Sequence, residues 1–353
     1  MDWGLLQEHT VNIYGLKTKH FTIYKVPARS LLNASRFDLY AKLFYISNRA
    51  EDPELARGVY INHILAFNPD GKEPGRTDKC GVEDFINFFD RLIDYFKDNE
   101  FDETISLVPV GSGNVILDGA HRVAALAYYN KEISIIQFHD VTPKCSFDYN
   151  YFLKRGMSWR IADIVALESL NWMNNVYVAC LWPRITTEEK RRVKTVIMDT
   201  YHIIYSRSFP ISLKSLSKFV TYVYRNQDWI GNEENGYWGA YNKALLCYGP
   251  SKTVQFIFFE GSNLSEILLM KEKIRGIFPY NKHSLHISDA LEETKEIGKL
   301  ILLEKGLSLW LASNREGSLL HLKEQIREKK ELFCNVTLIN WKVRVYRFLK
   351  RKY

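Results

Sequence analysis

Strand-like and helix-like segments alternate through the second half of this chain. That alternation constrains the fold more than any other feature. NNVYVACLW reads as a strand and TTEEKRRVKTVIMDTY as a helix. HIIYSRSF and SLKSLSKFVTYVYRN repeat the pair, followed by a helix at GYWGAYNKALLCYG and a strand at TVQFIFFEG. A helix at NLSEILLMKEKIRGIF, a strand at KHSLHIS and a helix at DALEETKEIGKLILLEKG continue it, and SLWLAS with GSLLHLKEQIREKKELF closes it. Strands linked through helices suit parallel neighbours in a layered sheet. The expected fold class is α/β, with a second domain over 151–340 built on a mostly parallel sheet. At 353 residues the chain can hold two domains, and 46% hydrophobic with 25% charged residues is a globular composition, not a disordered one.

The first domain, over 1–140, reads as α+β. FTIYKV at 21–26 is a strand stopped by Pro27, and 37–49 and 54–66 read as helices. A Gly-, Pro- and charge-rich loop follows at 68–81. In the next segment Phe85, Phe89, Leu92, Ile93 and Phe96 share one helical face. TISLVPV at 104–110 is a strand, and GSGN turns the chain into a second strand, VILD. The two glycines of that turn are flanked by strands, as in a hairpin, so they do not read as a phosphate loop. A helix then runs through AHRVAALAYYN, and ISIIQFH is the last strand.

The segment Asp118-Gly119-Ala120-His121-Arg122 carries the chemistry. Asp118 ends a strand, Gly119 permits a tight turn, and His121 and Arg122 fall in the first turn of a helix. First-turn amides are unpaired and partly positive, so with Arg122 they suit phosphate oxygens. Asp118 can accept a proton from a hydroxyl or help hold Mg²⁺. It could equally cap the helix, and Arg122 could pair with an acid elsewhere.

The order of elements, with VPV, a second strand and then DGAHRVAA, resembles the ParB/sulfiredoxin-like nucleotide-binding superfamily over roughly residues 18–140. Partition proteins of that superfamily read GERR at this helix start. The free serine kinases read DGHHR, so DGAHR is closer to the kinase branch. The resemblance implies that Gly119, Ala120, His121 and Arg122 meet nucleotide phosphates with Mg²⁺. It also implies that Asp118 lies next to the reacting hydroxyl, which makes Asp118 and His121 the candidate catalytic residues. ATP, ADP or CTP would be the nucleotide and a small hydroxyl compound (an amino acid, a polyol or a sugar) the acceptor. The rival within the superfamily is a nucleotide-dependent switch that clamps DNA or a protein. The kinases carry a further catalytic acid, for which Asp38, Glu51 and Glu54 are candidates by rough position.

Four more residues stand out. Lys42 and His63 lie among apolar neighbours, where a polar side chain points either into a pocket or out from the opposite face. His286 and Asp289 sit at a strand end where open α/β sheets bind ligands, or are a core histidine and part of a capping box, Asp289-x-x-Glu292. Trp229 and Trp238 flank Gly-rich turns and could stack on a sugar or plug a domain edge.

The five cysteines form no CxxC pair, which argues against a thiolate zinc site, and nothing resembles a Ser or Cys triad, HExxH, Walker loop or EF-hand. The start MDWGLLQEHT lacks the apolar core of a leader, and no apolar run of about eighteen residues is long enough to span a bilayer. The expected compartment is the cytoplasm. The net charge is +7, yet residues 342–353 hold six bases and no acid. The rest of the chain is therefore nearly neutral, which argues against a broad nucleic-acid surface. In a helix, Trp341, Val345, Phe348 and Leu349 share a face ringed by bases, as in a segment lying on an anionic membrane. A nucleic-acid tail and a merely solvated one are the other readings. A membrane-bound tail would place the protein at the inner membrane face, in surface-polysaccharide biosynthesis.

Overall fold

The protein, as a computed structural model, is described for residues 1–73 and 79–303. The last predicted strand and helix and the basic segment 341–353 lie outside those residues. Twelve α-helices and two sheets form among the described residues, a mixed α/β architecture. The chain divides into two compact units: Met1–Met157 with Val165–Asn174, and Ser158–Ile164 with the chain from Asn175 onward.

The first unit contains α1 (Glu8–Tyr14), β1 (Thr22–Pro27), α2 (Phe37–Asn48), α3 (Pro53–Phe67) and α4 (Val82–Asp98). β2 (Val108–Val110), α5 (Ala120–Tyr128), β3 (Glu132–Gln137) and α6 (Tyr149–Lys154) follow, and the end of α7 (Trp159–Trp172) joins them. The sheet order is β1-β3-β2, with β1 antiparallel and β2 parallel to the central β3. EISIIQ of β3 is buried from its second residue onward, as a strand covered on both faces must be. Pro109 is tolerated because β2 is an edge strand and needs no N–H on its outer side. Phe85, Phe89, Ile93 and Phe96 of α4 are buried, as their spacing predicts.

The predicted second strand, VILD, is not a strand. It makes one antiparallel bridge, Val110 to Ile116, with Gly111 N donating to Val115 O at 2.9 Å and Leu117 N to Pro109 O at 2.8 Å. Gly113 and Asn114 (φ 69° and 56°) reverse the chain, and Gly119 (φ 86°) turns it again into α5. Two turns this close leave no length for a ladder.

The second unit contains β4 (Val176–Leu181), α8 (Thr187–Met198), β5 (His202–Pro210), α9 (Leu213–Val223) and α10 (Trp238–Cys247). β6 (Thr253–Glu260), α11 (Leu264–Ile277), β7 (Leu285–Ile287) and α12 (Leu291–Leu302) complete its described part. Here the expected mostly parallel sheet is corrected. The order is β5-β6-β4-β7 and every neighbouring pair is antiparallel. Helix α8 links β4 to β5, which run the same way but have β6 between them. Helix α11 links β6 to β7, which flank β4. Both crossovers skip one place, so two parallel-running pairs interleave into an antiparallel sheet, the split β-α-β arrangement of ferredoxin-like sheets. Ala179, Leu181, Ile257 and Phe259 of the strands pack on Val193 and Ile197 of α8 and Ile267 and Ile274 of α11.

Candidate functional site

The start of α5 is set by Gly119. Its φ of 86° is a left-handed conformation, and a Cβ there would come within 2.9 Å of both Val108 Cγ2 and Arg122 Nη2. Only glycine lets the Arg122 side chain fold back over the turn. Arg122 Nη1 donates to Leu107 O at 3.4 Å, and Nη2 lies 3.9 Å from Asp118 Oδ2. That oxygen is buried and accepts no hydrogen bond. Asp118 does not cap the helix, since no side chain caps α5.

His121, half-buried, stands in an aromatic box. Its ring centroid is 4.8 Å from that of Phe89 and 6.1 Å from those of Phe88 and Tyr60, and the Tyr60 hydroxyl meets Nε2 at 2.8 Å. Burial and the charges of Lys42 and Lys79 push the imidazole well below its usual range, so it is neutral at pH 7.

Behind this box lies a buried polar chain on α2 and α3. Asp38 is 1% exposed and receives Arg36 through both carboxylate oxygens, at 2.8 and 2.9 Å. Lys42, one turn on, donates to Asp38 Oδ2 at 3.0 Å and meets His63 Nε2 at 3.1 Å. His63 Nδ1 faces the Tyr60 carbonyl at 2.7 Å. That contact assigns the ring proton to Nδ1 and leaves Nε2 to accept from Lys42. Burial opposes the ionisation of Asp38, but Arg36 and Lys42 outweigh it and hold the carboxyl well below the usual range. Burial pushes Lys42 down against the pull of Asp38, and burial with Lys42 pushes His63 far down. Lys79, also buried, pairs with Glu73 and lies 3.9 Å from the Phe88 ring centroid.

The structure thus brings Lys42 and His63 together with His121, through Tyr60. Both point inward, not out from the opposite face. Of the three acids considered by position, Asp38 joins this chain, while Glu51 and Glu54 are exposed. Sequence reasoning missed Arg36, Tyr60 and Lys79. The i to i+4 spacing of Asp38 and Lys42, and the i to i+3 spacing of Tyr60 and His63, were available signals.

His286 and Asp289 belong to the second unit. His286 is buried, with Tyr224 Oη 3.1 Å from Nδ1 and Glu293 Oε1 2.9 Å from Nε2. Asp289 accepts from Lys271 at 2.7 Å. The Asp289-x-x-Glu292 box does not form: Ala290 occupies the N-cap of α12, and Glu293 instead accepts from Asp289 N at 2.9 Å. The helix begins later than the spacing suggests, and Asp289 is engaged by Lys271 instead of capping it. Trp229 and Trp238 are exposed.

Among the described residues no group of three His, Cys, Asp or Glu side chains could hold a metal ion. Asp118, with its unsatisfied oxygen, fits only a hard cation that arrives largely coordinated by phosphate oxygens and water, which is how Mg²⁺ commonly binds. Compared with known proteins, the chain matches no family model and no curated sequence.

Proposed function

We propose that the first unit is a Mg²⁺-dependent phosphotransferase that moves a phosphoryl group from a nucleotide to the hydroxyl of an amino acid, polyol or sugar. The observation that carries this reading is the buried Asp118 oxygen, left without a hydrogen-bond donor beside a glycine-initiated helix start bearing Arg122. It sits where a proton-accepting group and a phosphate site need to adjoin. The resemblance of DGAHR to the free serine kinases supports the same assignment.

Arg122 and the first-turn amides of α5 would bind the phosphate oxygens and take up charge as it develops. The neutral His121 would line that site without adding a full positive charge, held in place by Tyr60. Asp118 would orient the acceptor hydroxyl and accept its proton as the new oxygen–phosphorus bond forms and the bridging bond to the nucleotide breaks. Mg²⁺ carried on the nucleotide would meet Asp118 and neutralise phosphate charge. Asp38, locked between two cations, would position Lys42 and not act as a base.

The test is to incubate the full chain with Mg²⁺, labelled ATP or CTP and a panel of amino acids, polyols and sugars. Label appearing in an acceptor, and lost in Asp118→Asn, supports the assignment. Bound nucleotide with no transfer to any acceptor would point instead to a switch. The segment 341–353 remains a proposal for membrane attachment.

A further inference from the structure

A second site opens in the first unit. A cleft of about 640 Å³ lies among the turn after β1, the end of α2 and the later part of α7, and its lining residues do not include the segment Asp118–Arg122. The volume suits a small-molecule ligand. Two opposite charges face this cleft. Glu168, 8% exposed, accepts from Trp172 Nε1 at 2.7 Å and from Asn171 Nδ2 at 3.3 Å. Both donors are neutral. Arg29 donates Nε to Ala127 O at 2.9 Å, and its guanidinium carbon lies 5.1 Å from the Trp172 ring centroid.

Among the described residues neither Glu168 nor Arg29 forms an ion pair, with each other or with any other group. A buried carboxylate served only by neutral donors is costly to keep ionised, and burial pushes the Glu168 carboxyl up accordingly. Asn48 and Asn171 line the same cleft. Asn171 spends its nitrogen on Glu168 and Asn48 donates its nitrogen to Phe44 O at 2.9 Å, which leaves both side-chain oxygens available. Glu168 and two amide oxygens make three acceptors, the number an ammonium group requires. The Arg29 fork matches a carboxylate.

We propose that this cleft binds a free α-amino acid as its zwitterion, with the carboxylate on Arg29 and the ammonium on Glu168, Asn48 and Asn171. The site is independent of the phosphotransfer reading.

Isothermal titration of the full chain with each of the twenty protein amino acids tests it, with acetate, methylammonium and glucose as comparators. The expected result is saturable binding of at least one amino acid and of no comparator. Affinity should fall at least about tenfold in both Arg29→Gln and Glu168→Gln, since each removes a charged hydrogen bond. Arg29 is exposed, so its variant keeps the test decisive if Glu168→Gln fails to fold. Absence of amino-acid binding, equal binding of glucose, or binding that survives both cleft variants overturns the proposal. Binding lost only in Arg122→Ala also overturns it, by placing the amino acid at the start of α5, and leaves the phosphotransfer reading standing.

Discussion

Asp118 and Asp38 are both acids of the first unit, yet their surroundings are opposite in kind. Asp38 is held by Arg36 and Lys42. Replacing it with alanine leaves two buried cations uncompensated and should cost about 3–5 kcal/mol in urea unfolding. Asp118 has an oxygen that accepts no hydrogen bond, with only Arg122 Nη2 at 3.9 Å. Asp118→Asn should therefore change stability by no more than about 1 kcal/mol while abolishing the proposed phosphoryl transfer. A functional residue separates from a structural one by that contrast. His63 adds a pH dependence. Its folded pKa lies well below the ordinary 6.5, so between those values the unfolded chain binds a proton that the folded chain does not. Stability therefore rises with pH across that window and falls on acidification below about 6.5. In His63→Gln the slope of unfolding free energy between pH 5 and 6 should flatten, by at most about 1.4 kcal/mol per pH unit. An unchanged slope would mean that His63 is protonated in the folded state.

At the scale of elements, the turn into α5 is the most constrained piece of backbone in the site. Gly119→Ala forces a Cβ against Val108 and Arg122 in a left-handed conformation, and should lower stability by about 1–3 kcal/mol, read as a drop in thermal midpoint. The turn was legible in the sequence because Asp-Gly before an apolar helical run has few other readings. The strands and helices of the second unit were legible too, since period-2 and period-3.6 patterns are local properties. Strand direction was not. β4 pairs with β6 across more than seventy residues of chain, and the local pattern does not say which neighbour a crossover skips. Helix α7 was missed because WRIADIVALESLNW mixes buried apolar residues with buried Asp163 and Glu168, which blurs its periodicity. The polar chain behind His121 was half legible. Lys42 and His63 showed as polar residues in apolar surroundings, but their partners Arg36 and Tyr60 are joined to them only by helix packing.

For the whole molecule, charge is the property most concentrated in one place. Six of the seven net positive charges fall in residues 342–353. No helix among the described residues is long and apolar enough to cross a membrane. If the basic segment binds lipid, the full chain should float with anionic liposomes, and deletion of 341–353 or high salt should abolish it. Equal flotation of the truncated chain would remove that role. The nearly neutral remainder is consistent with a molecule whose chemistry is confined to a local site, since a few buried cations around one helix start hardly change the overall balance. That helix start carries the proposed phosphotransfer. Equilibrium binding of Mg²⁺-ATP and Mg²⁺-CTP to the wild-type chain and to Arg122→Ala tests it directly. The prediction is saturable binding of at least one nucleotide by the wild type, weakened at least about tenfold in the variant. Equal affinity in the two proteins, or no nucleotide binding at all, would contradict it.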